Sequence, residues 1–254
     1  MISRIRTSSG RTFEERRRFF DTMAADYADR HGDAKALLEY RVRLLRQMLP
    51  ELDGTTVMEL GCGPADHLLA LVADGSARGV AVDFSTAMID VVRKRVAARS
   101  IASSVEAVVD SAETLSRFPD SSIDSVCSVG AIEHIPRKSD VFASVARVLR
   151  PGGVFACLTM NGEYLWHTVF GRIPGVRTRH ISSDSFLSAD EVRKLSHASR
   201  LGIERIGYWT FVPAGDMNAP VAGLFRALDA AGRTLFAAWL RGGLLFALRK
   251  PHAD

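Results

Sequence analysis

The segment Val57-Met58-Glu59-Leu60-Gly61-Cys62-Gly63-Pro64-Ala65 constrains the fold of this chain more than any other stretch. An apolar run of strand length enters a glycine-rich turn, and helical patterning follows. Glycines in such a turn let backbone approach a ligand without a Cβ in the way. The alternation then continues, with candidate strands at Thr56–Leu60, Gly79–Val82, Val105–Val109, Ile123–Val129 and Val154–Met160. Short strands separated by helical patterns are the signature of βα units wound around a parallel sheet, an α/β fold. Between the last two strands, Val141, Val145, Val148 and Leu149 recur at helical spacing. Ser139 or Asp140 is placed to cap that helix, and Pro151-Gly152-Gly153 to stop it.

At 254 residues, 47% of them hydrophobic, the chain can bury one substantial core, and a single domain over 1–254 is expected. Phe13 to Leu49 reads as helical, an N-terminal cap over one edge of the sheet. Residues 161–187 break the pattern with Gly162, Gly171, Pro174 and Gly175 among Tyr164, Trp166, Phe170 and Phe186. An aromatic-rich connection of that length suits a lid over a substrate. Ser188 caps a further helix, Ile203–Tyr208 reads as a strand, an amphipathic helix follows Pro220, and Leu244–Leu248 makes a last strand.

The net charge of +4 comes from scattered arginines, clustered only at Arg16-Arg17-Arg18, with no aromatic-basic alternation. That argues against a nucleic-acid partner and leaves an acidic substrate or an anionic membrane face open. Cys62, Cys127 and Cys157 lie in or beside apolar runs without a CxxC pair, as reduced, buried thiols would. No apolar signal core follows the first arginines, so cytoplasmic residence is expected. Leu235 to Leu248 is interrupted by Arg241, Gly242 and Gly243, short of the roughly 20 apolar residues of a membrane span.

Ligand-type residues recur at the strand ends. Asp83 ends the second strand about twenty residues after the glycine turn, the spacing at which a carboxylate accepts hydrogen bonds from a ribose. Asp110-Ser111-Ala112 follows the third strand, where short polar side chains can hold an adenine edge. All converge at the carboxyl edge of the sheet, where open α/β folds bind ligands. A nicotinamide dehydrogenase is the main alternative, but it wants glycine where Asp66 stands. A carboxylate there would face a pyrophosphate at a helix N-terminus, whereas a phosphate-free nucleoside tolerates it.

With these motifs together, the chain resembles the class I S-adenosylmethionine-dependent methyltransferases, and within them the group containing ubiquinone-biosynthesis methyltransferases. Glu59-Leu60-Gly61-Cys62-Gly63 resembles the family's first motif, Asp83 its second and Asp110 its third. Arg147-Val148-Leu149-Arg150-Pro151-Gly152-Gly153 resembles the signature after its crossover helix. The likeness covers roughly Phe20 to Leu158 and departs at Ala65, where many members carry a third glycine. It implies a Rossmann-like, seven-stranded, mostly parallel sheet with helices on both faces and an antiparallel last strand, Leu244–Leu248. It also implies S-adenosylmethionine as cofactor, with Gly61 and Gly63 under the methionine part, Asp83 on the ribose hydroxyls and Asp110 at the adenine amine. Phe84 and Met88 would pack on the adenine face, and Tyr27 resembles a lid tyrosine that closes on the cofactor. Glu59, Cys62, Ser111 and Ala112 complete the expected cofactor contacts. Glu59 has a rival role as a carboxylate paired with a surface arginine, and Met88 as core.

Methyl transfer from a sulfonium is an in-line displacement, so alignment matters most, and a hydroxyl acceptor must also shed a proton. Glu133 and His134 follow the fourth strand at the same edge, and the resemblance puts them beside the methyl-transfer site. His134 is the first candidate for a base or substrate contact, with a loop hydrogen bond as its rival role. His180 in the lid is the second and His167 the third, while Arg172, Arg177 and Arg179 offer either anion recognition or a solvated loop. The expected function is methyl transfer to a small molecule, on a hydroxyl oxygen of an apolar or aromatic metabolite. Alternatives are a membrane-lipid or isoprenoid acceptor, reached through Leu224, Phe225, Leu228, Leu235, Phe236, Trp239 and Leu240, and a non-catalytic sensor or scaffold. No cysteine or histidine cluster has metal-site spacing, so no metal is expected.

Overall fold

The computed structural model describes residues 13–23, 34–99, 104–164, 185–209 and 241–252. Two helices, α1 (Phe13–Met23) and α2 (Ala34–Arg46), precede β1 (Thr56–Leu60), α3 (Asp66–Leu71), β2 (Arg78–Asp83), α4 (Thr86–Ala98) and β3 (Val105–Val109). Then come β4 (Ile123–Val129), a 3-10 turn (Ile132–His134), α5 (Lys138–Val148), β5 (Leu149–Met160), α6 (Ala189–Ala198), β6 (Gly202–Trp209) and β7 (Gly243–Arg249). The helix expected after Pro220, like residues 165–184 of the expected lid, lies outside the described residues.

The seven strands form one sheet in the order β3-β2-β1-β4-β5-β7-β6. β1 to β5 pair in parallel, and β7 runs antiparallel between β5 and β6, as the family likeness implies. From β1 the chain winds outward to β2 and β3, then crosses to β4 on the other side. The turns after β1 and β4 therefore leave in opposite directions and open a crevice at the carboxyl edge.

Side chains alternate across the strands, which sorts the core into two layers. Val57, Ala81, Cys127 and Ala156 pack with Leu45 of α2, Leu68 of α3 and Val92 of α4. Met58, Val80, Val126 and Phe155 pack with Phe142 and Val145 of α5 and Val192 of α6. Helices thus cover both faces, and strands buried on both sides read in the sequence as nearly unbroken apolar runs. Phe142, Phe155 and Phe246 meet with ring centroids 5.5–5.8 Å apart, tying α5 to β5 and β7.

Both ends of α5 differ from the sequence reading, and β2, β5, β6 and β7 extend beyond their expected spans. α5 has no side-chain cap from Ser139 or Asp140; its N-cap is Arg137. Pro151-Gly152-Gly153 does not form the stop either, because α5 ends at Val148 and β5 already begins at Leu149. The glycines serve close packing inside the strand: a Cβ on Gly153 would lie 2.8 Å from the Asp124 carbonyl oxygen of β4. By contrast, Ser188 caps α6 as expected, in a full capping box with Glu191.

Candidate functional site

Asp83 stands at the centre of the carboxyl edge. Its Oδ2 accepts from the Gly63 amide at 2.9 Å and its Oδ1 from the Ser85 amide at 2.9 Å. These bonds lock the carboxylate against the glycine turn and leave each oxygen a lone pair for a ligand. Burial pushes the Asp83 carboxyl up to about 6; the Ser85 and Gly63 amides lower it, and Glu59 and Asp21 raise it as like charges. A cleft with about 740 Å³ of free space, part of it open to solvent, runs past this carboxylate.

The predicted positions Gly61, Gly63, Asp83, Phe84, Met88, Asp110, Ser111, Ala112 and His134 all line that cleft. The backbone explains why glycine is needed. Gly61 and Gly63 have φ of 61° and 50°, and a Cβ on Gly61 would sit 2.4 Å from Cβ of Ala131. Ala65, the departure from the family pattern, also adopts a left-handed φ of 59°, at a cost of about 1–2 kcal/mol that the surrounding fold carries. Asp110 organises its own loop: Oδ1 accepts from the Ser111 amide at 2.8 Å and Ser116 Oγ at 3.2 Å, and Oδ2 from the Arg117 amide at 2.9 Å. One lone pair remains on Oδ2.

Other predicted residues stand behind the wall. Glu59 is buried and not part of the lining; its Oε2 accepts from the Leu68 amide at 3.0 Å, and its Oε1 is 3.1 Å from His67 Nδ1. Ala65 offers α3 no side-chain cap, so Glu59 reaches across from β1 to satisfy an amide of its first turn. Its partner is thus a helix end and a histidine, not the surface arginine that the sequence left open. Cys62 is buried with its Sγ 3.4 Å from the Gly63 carbonyl oxygen, and burial raises its thiol, like those of Cys127 and Cys157. Glu133 is also buried outside the lining, its Oε2 accepting from Thr159 Oγ1 at 2.8 Å. That bond fixes the 3-10 turn to β5 and so presents the neighbouring His134 to the cleft. Tyr27, His167 and His180 lie outside the described residues.

Sequence reasoning missed part of the lining, including Arg16, Phe20, Glu113, Gly130 and Ala131. Gly130, at φ 64° directly after β4, and Glu113, next after Asp110-Ser111-Ala112, carried readable signals; Phe20 reaches the cleft through tertiary contacts that no local pattern encodes. Phe20 packs edge-on against Phe84 and His134, with centroids 5.6 and 5.4 Å apart. Glu113 is buried and engages the exposed Arg137, at 3.3 Å from its Nη2.

Among the described lining residues Asp83 and Asp110 present carboxylates and Arg16 a guanidinium, while the Glu113 carboxylate is taken up by Arg137. Such acceptors suit a cationic nucleoside and disfavour a diphosphate. Asp66 does not act as the sequence argument supposed: it is absent from the lining and ion-paired with Arg95. The acidic lining itself carries the contrast with a dinucleotide site. Among the described residues, no cluster could hold a metal ion and no helix is long and apolar enough to cross a membrane.

The family described as a methyltransferase domain matches residues 58–157, the stretch holding the glycine turn, Asp83, Asp110 and His134. The match takes in about two fifths of the chain, and over it the chain is similar to methyltransferases. It is 30% identical over 168 residues to a ubiquinone biosynthesis O-methyltransferase of Alkalilimnicola ehrlichii, covering 60% of this chain and 62% of that one. A 24-methylenesterol C-methyltransferase of Oryza sativa is 30% identical over 138 residues, covering 54% of this chain and 35% of its own. Across the first curated relatives the chain spans between 35% and 62% of their length. Among solved structures, the SpnF cyclase superposes with a TM-score of 0.72 at 14% identity, covering 99% of both chains, a likeness of fold alone.

Proposed function

We propose that this chain transfers the methyl group of S-adenosylmethionine to a hydroxyl oxygen of an apolar or aromatic small molecule. The reading is carried by the Asp83 carboxylate bonded to the Gly63 amide on the floor of an acid-lined cleft, with His134 among the same lining residues. The similarity to an O-methyltransferase of ubiquinone biosynthesis supports the choice of acceptor atom. When bound, S-adenosylmethionine supplies an electrophilic methyl on a cationic sulfur. Asp83 would accept from the ribose hydroxyls through its two spare lone pairs, and Phe84 and Met88 would cover the adenine face. The carboxylate lining favours the positive charge before transfer and loses that preference once the charge is gone, which helps product leave. His134 would take the hydroxyl proton on a ring nitrogen, a contribution of about 10²–10⁴-fold in such reactions. Phe20, Ile135 and Pro136 give this part of the cleft an apolar wall against water.

A lipid or isoprenoid acceptor is the second reading, supported by the similarity to a sterol C-methyltransferase. Calorimetric titration with S-adenosylhomocysteine tests the cofactor half, and an absence of binding at millimolar concentration removes it. Labelled methyl transfer into hydroxylated aromatics, their deoxy analogues, and sterol- or prenyl-bearing liposomes tests the acceptor half. Turnover confined to the hydroxylated compounds supports the proposal, turnover confined to liposomes moves it to the second reading, and binding without turnover leaves a sensor or scaffold.

A further inference from the structure

α1 is an 11-residue helix, too short to be stable alone, so its place depends on what holds it. Two of its residues one turn apart, Arg16 and Phe20, line the cleft, and Phe20 reaches both the β2 tip, through Phe84, and the β4 turn, through His134. The next residue supplies a polar anchor. Asp21 Oδ1 accepts from Ser85 Oγ at 2.5 Å and lies 3.4 Å from the Ala87 amide, at the start of α4. Ser85 is the N-cap of α4: its Oγ accepts from the Met88 amide at 3.1 Å, and its own amide donates to Asp83 Oδ1. An unbroken run of hydrogen bonds thus joins Asp21 to Ser85, Ser85 to Asp83, and Asp83 to Gly63.

We propose that Asp21 is a positioning residue that latches α1 over the cofactor cleft, so that its bond to Ser85 sets how long the bound nucleoside stays. The inference rests on the cleft holding S-adenosylmethionine, as argued above. Asp83 and Met88 of the cleft lining are both bonded to Ser85, and Phe20 of α1 lines the same cleft, so parting Asp21 from Ser85 loosens the α1 side of the wall around the ligand. Asp21 does not line the cleft, so its effect on the ligand passes through Ser85 and Phe20.

The test measures S-adenosylhomocysteine dissociation by stopped flow in the wild type, Asp21→Ala and Asp21→Asn. Asparagine keeps an Oδ1 that accepts from Ser85 Oγ, whereas alanine keeps nothing. The latch predicts dissociation about tenfold faster in D21A, equivalent to ~1.4 kcal/mol, with D21N close to the wild type. It also predicts slower hydrogen exchange at α1 amides of the wild type when the ligand is added, a readout that survives if D21A fails to fold. Equal dissociation rates in D21A and the wild type, D21N as fast as D21A, or α1 exchange indifferent to the ligand each overturn the latch. A wild type that binds no S-adenosylhomocysteine instead overturns the cofactor reading beneath it.

Discussion

Acidification should loosen the cofactor while favouring the empty fold, because both effects come from one buried carboxylate. Asp83 titrates near about 6 instead of 3.8, chiefly because burial disfavours its charge. Ribose hydroxyls are donors, so binding wants the ionised form, which is depleted as pH falls through that value. With a pKa of about 6, the group is ~97% ionised at about pH 7.5 and ~9% at about pH 5. If only the ionised form binds, affinity for S-adenosylhomocysteine drops about tenfold over that interval. Stability takes the opposite sign. A folded pKa raised above the unfolded value gives a contribution fully present below about pH 4 and lost as pH rises through about 6, at most ~3 kcal/mol from this group. Calorimetric titration of the wild type and Asp83→Asn across the interval, with thermal unfolding of the ligand-free proteins in parallel, separates the two effects. Glu59 and Asp21 also face this carboxyl, and any pH dependence that does not come from Asp83 persists in D83N as the baseline. Wild-type affinity that stays flat from about pH 7.5 to 5, or falls equally in D83N, refutes the assignment.

Further substitutions probe the neighbouring parts. Gly63→Ala places a side chain at φ 50° in the cleft lining, and should cost about 1–2 kcal/mol in denaturant unfolding and abolish calorimetric binding of S-adenosylhomocysteine. His134→Ala should cut turnover of a hydroxyl acceptor about 10²–10⁴-fold in a single-turnover assay while the cofactor still binds; an unchanged rate would leave His134 a loop residue. Thr159→Val deprives the buried Glu133 carboxylate of its hydroxyl donor, an expected loss of about 1–3 kcal/mol in urea unfolding. Ser188→Ala removes one arm of the capping box of α6, which should lower stability by ~0.5–2 kcal/mol and leave turnover as it was.

Strand positions were legible because burial on both faces leaves long apolar runs, and β1, β3 and β4 coincide with the expected spans. The floor of the cleft was legible for a related reason. In a βα unit the residues at the carboxyl edge follow directly after a strand, so Gly63, Asp83 and Asp110 are placed there by local sequence, and the parallel pairing of β1, β2 and β3 brings them side by side. What failed was the step from residue type to direction. Glu59 and Glu133 sit in the right segments, yet their carboxylates point to the Leu68 amide and Thr159 Oγ1, partners that depend on how α3 and β5 pack.

The roof of the cleft was illegible for a reason of distance. Helical periodicity tells which face of α1 is apolar, but not which part of the sheet that face will meet. Asp21 finds Ser85 across 64 residues of sequence, and neither residue belongs to the glycine and carboxylate spacing that betrays the floor. The chain is similar both to a ubiquinone biosynthesis O-methyltransferase and to a sterol C-methyltransferase, so overall similarity does not choose an acceptor. Selectivity has to come from the surfaces that close over the floor. Phe20 and His134 already stand in contact there, and this edge of the cleft is where changes to the chain should alter which acceptor is methylated before they alter whether the cofactor binds.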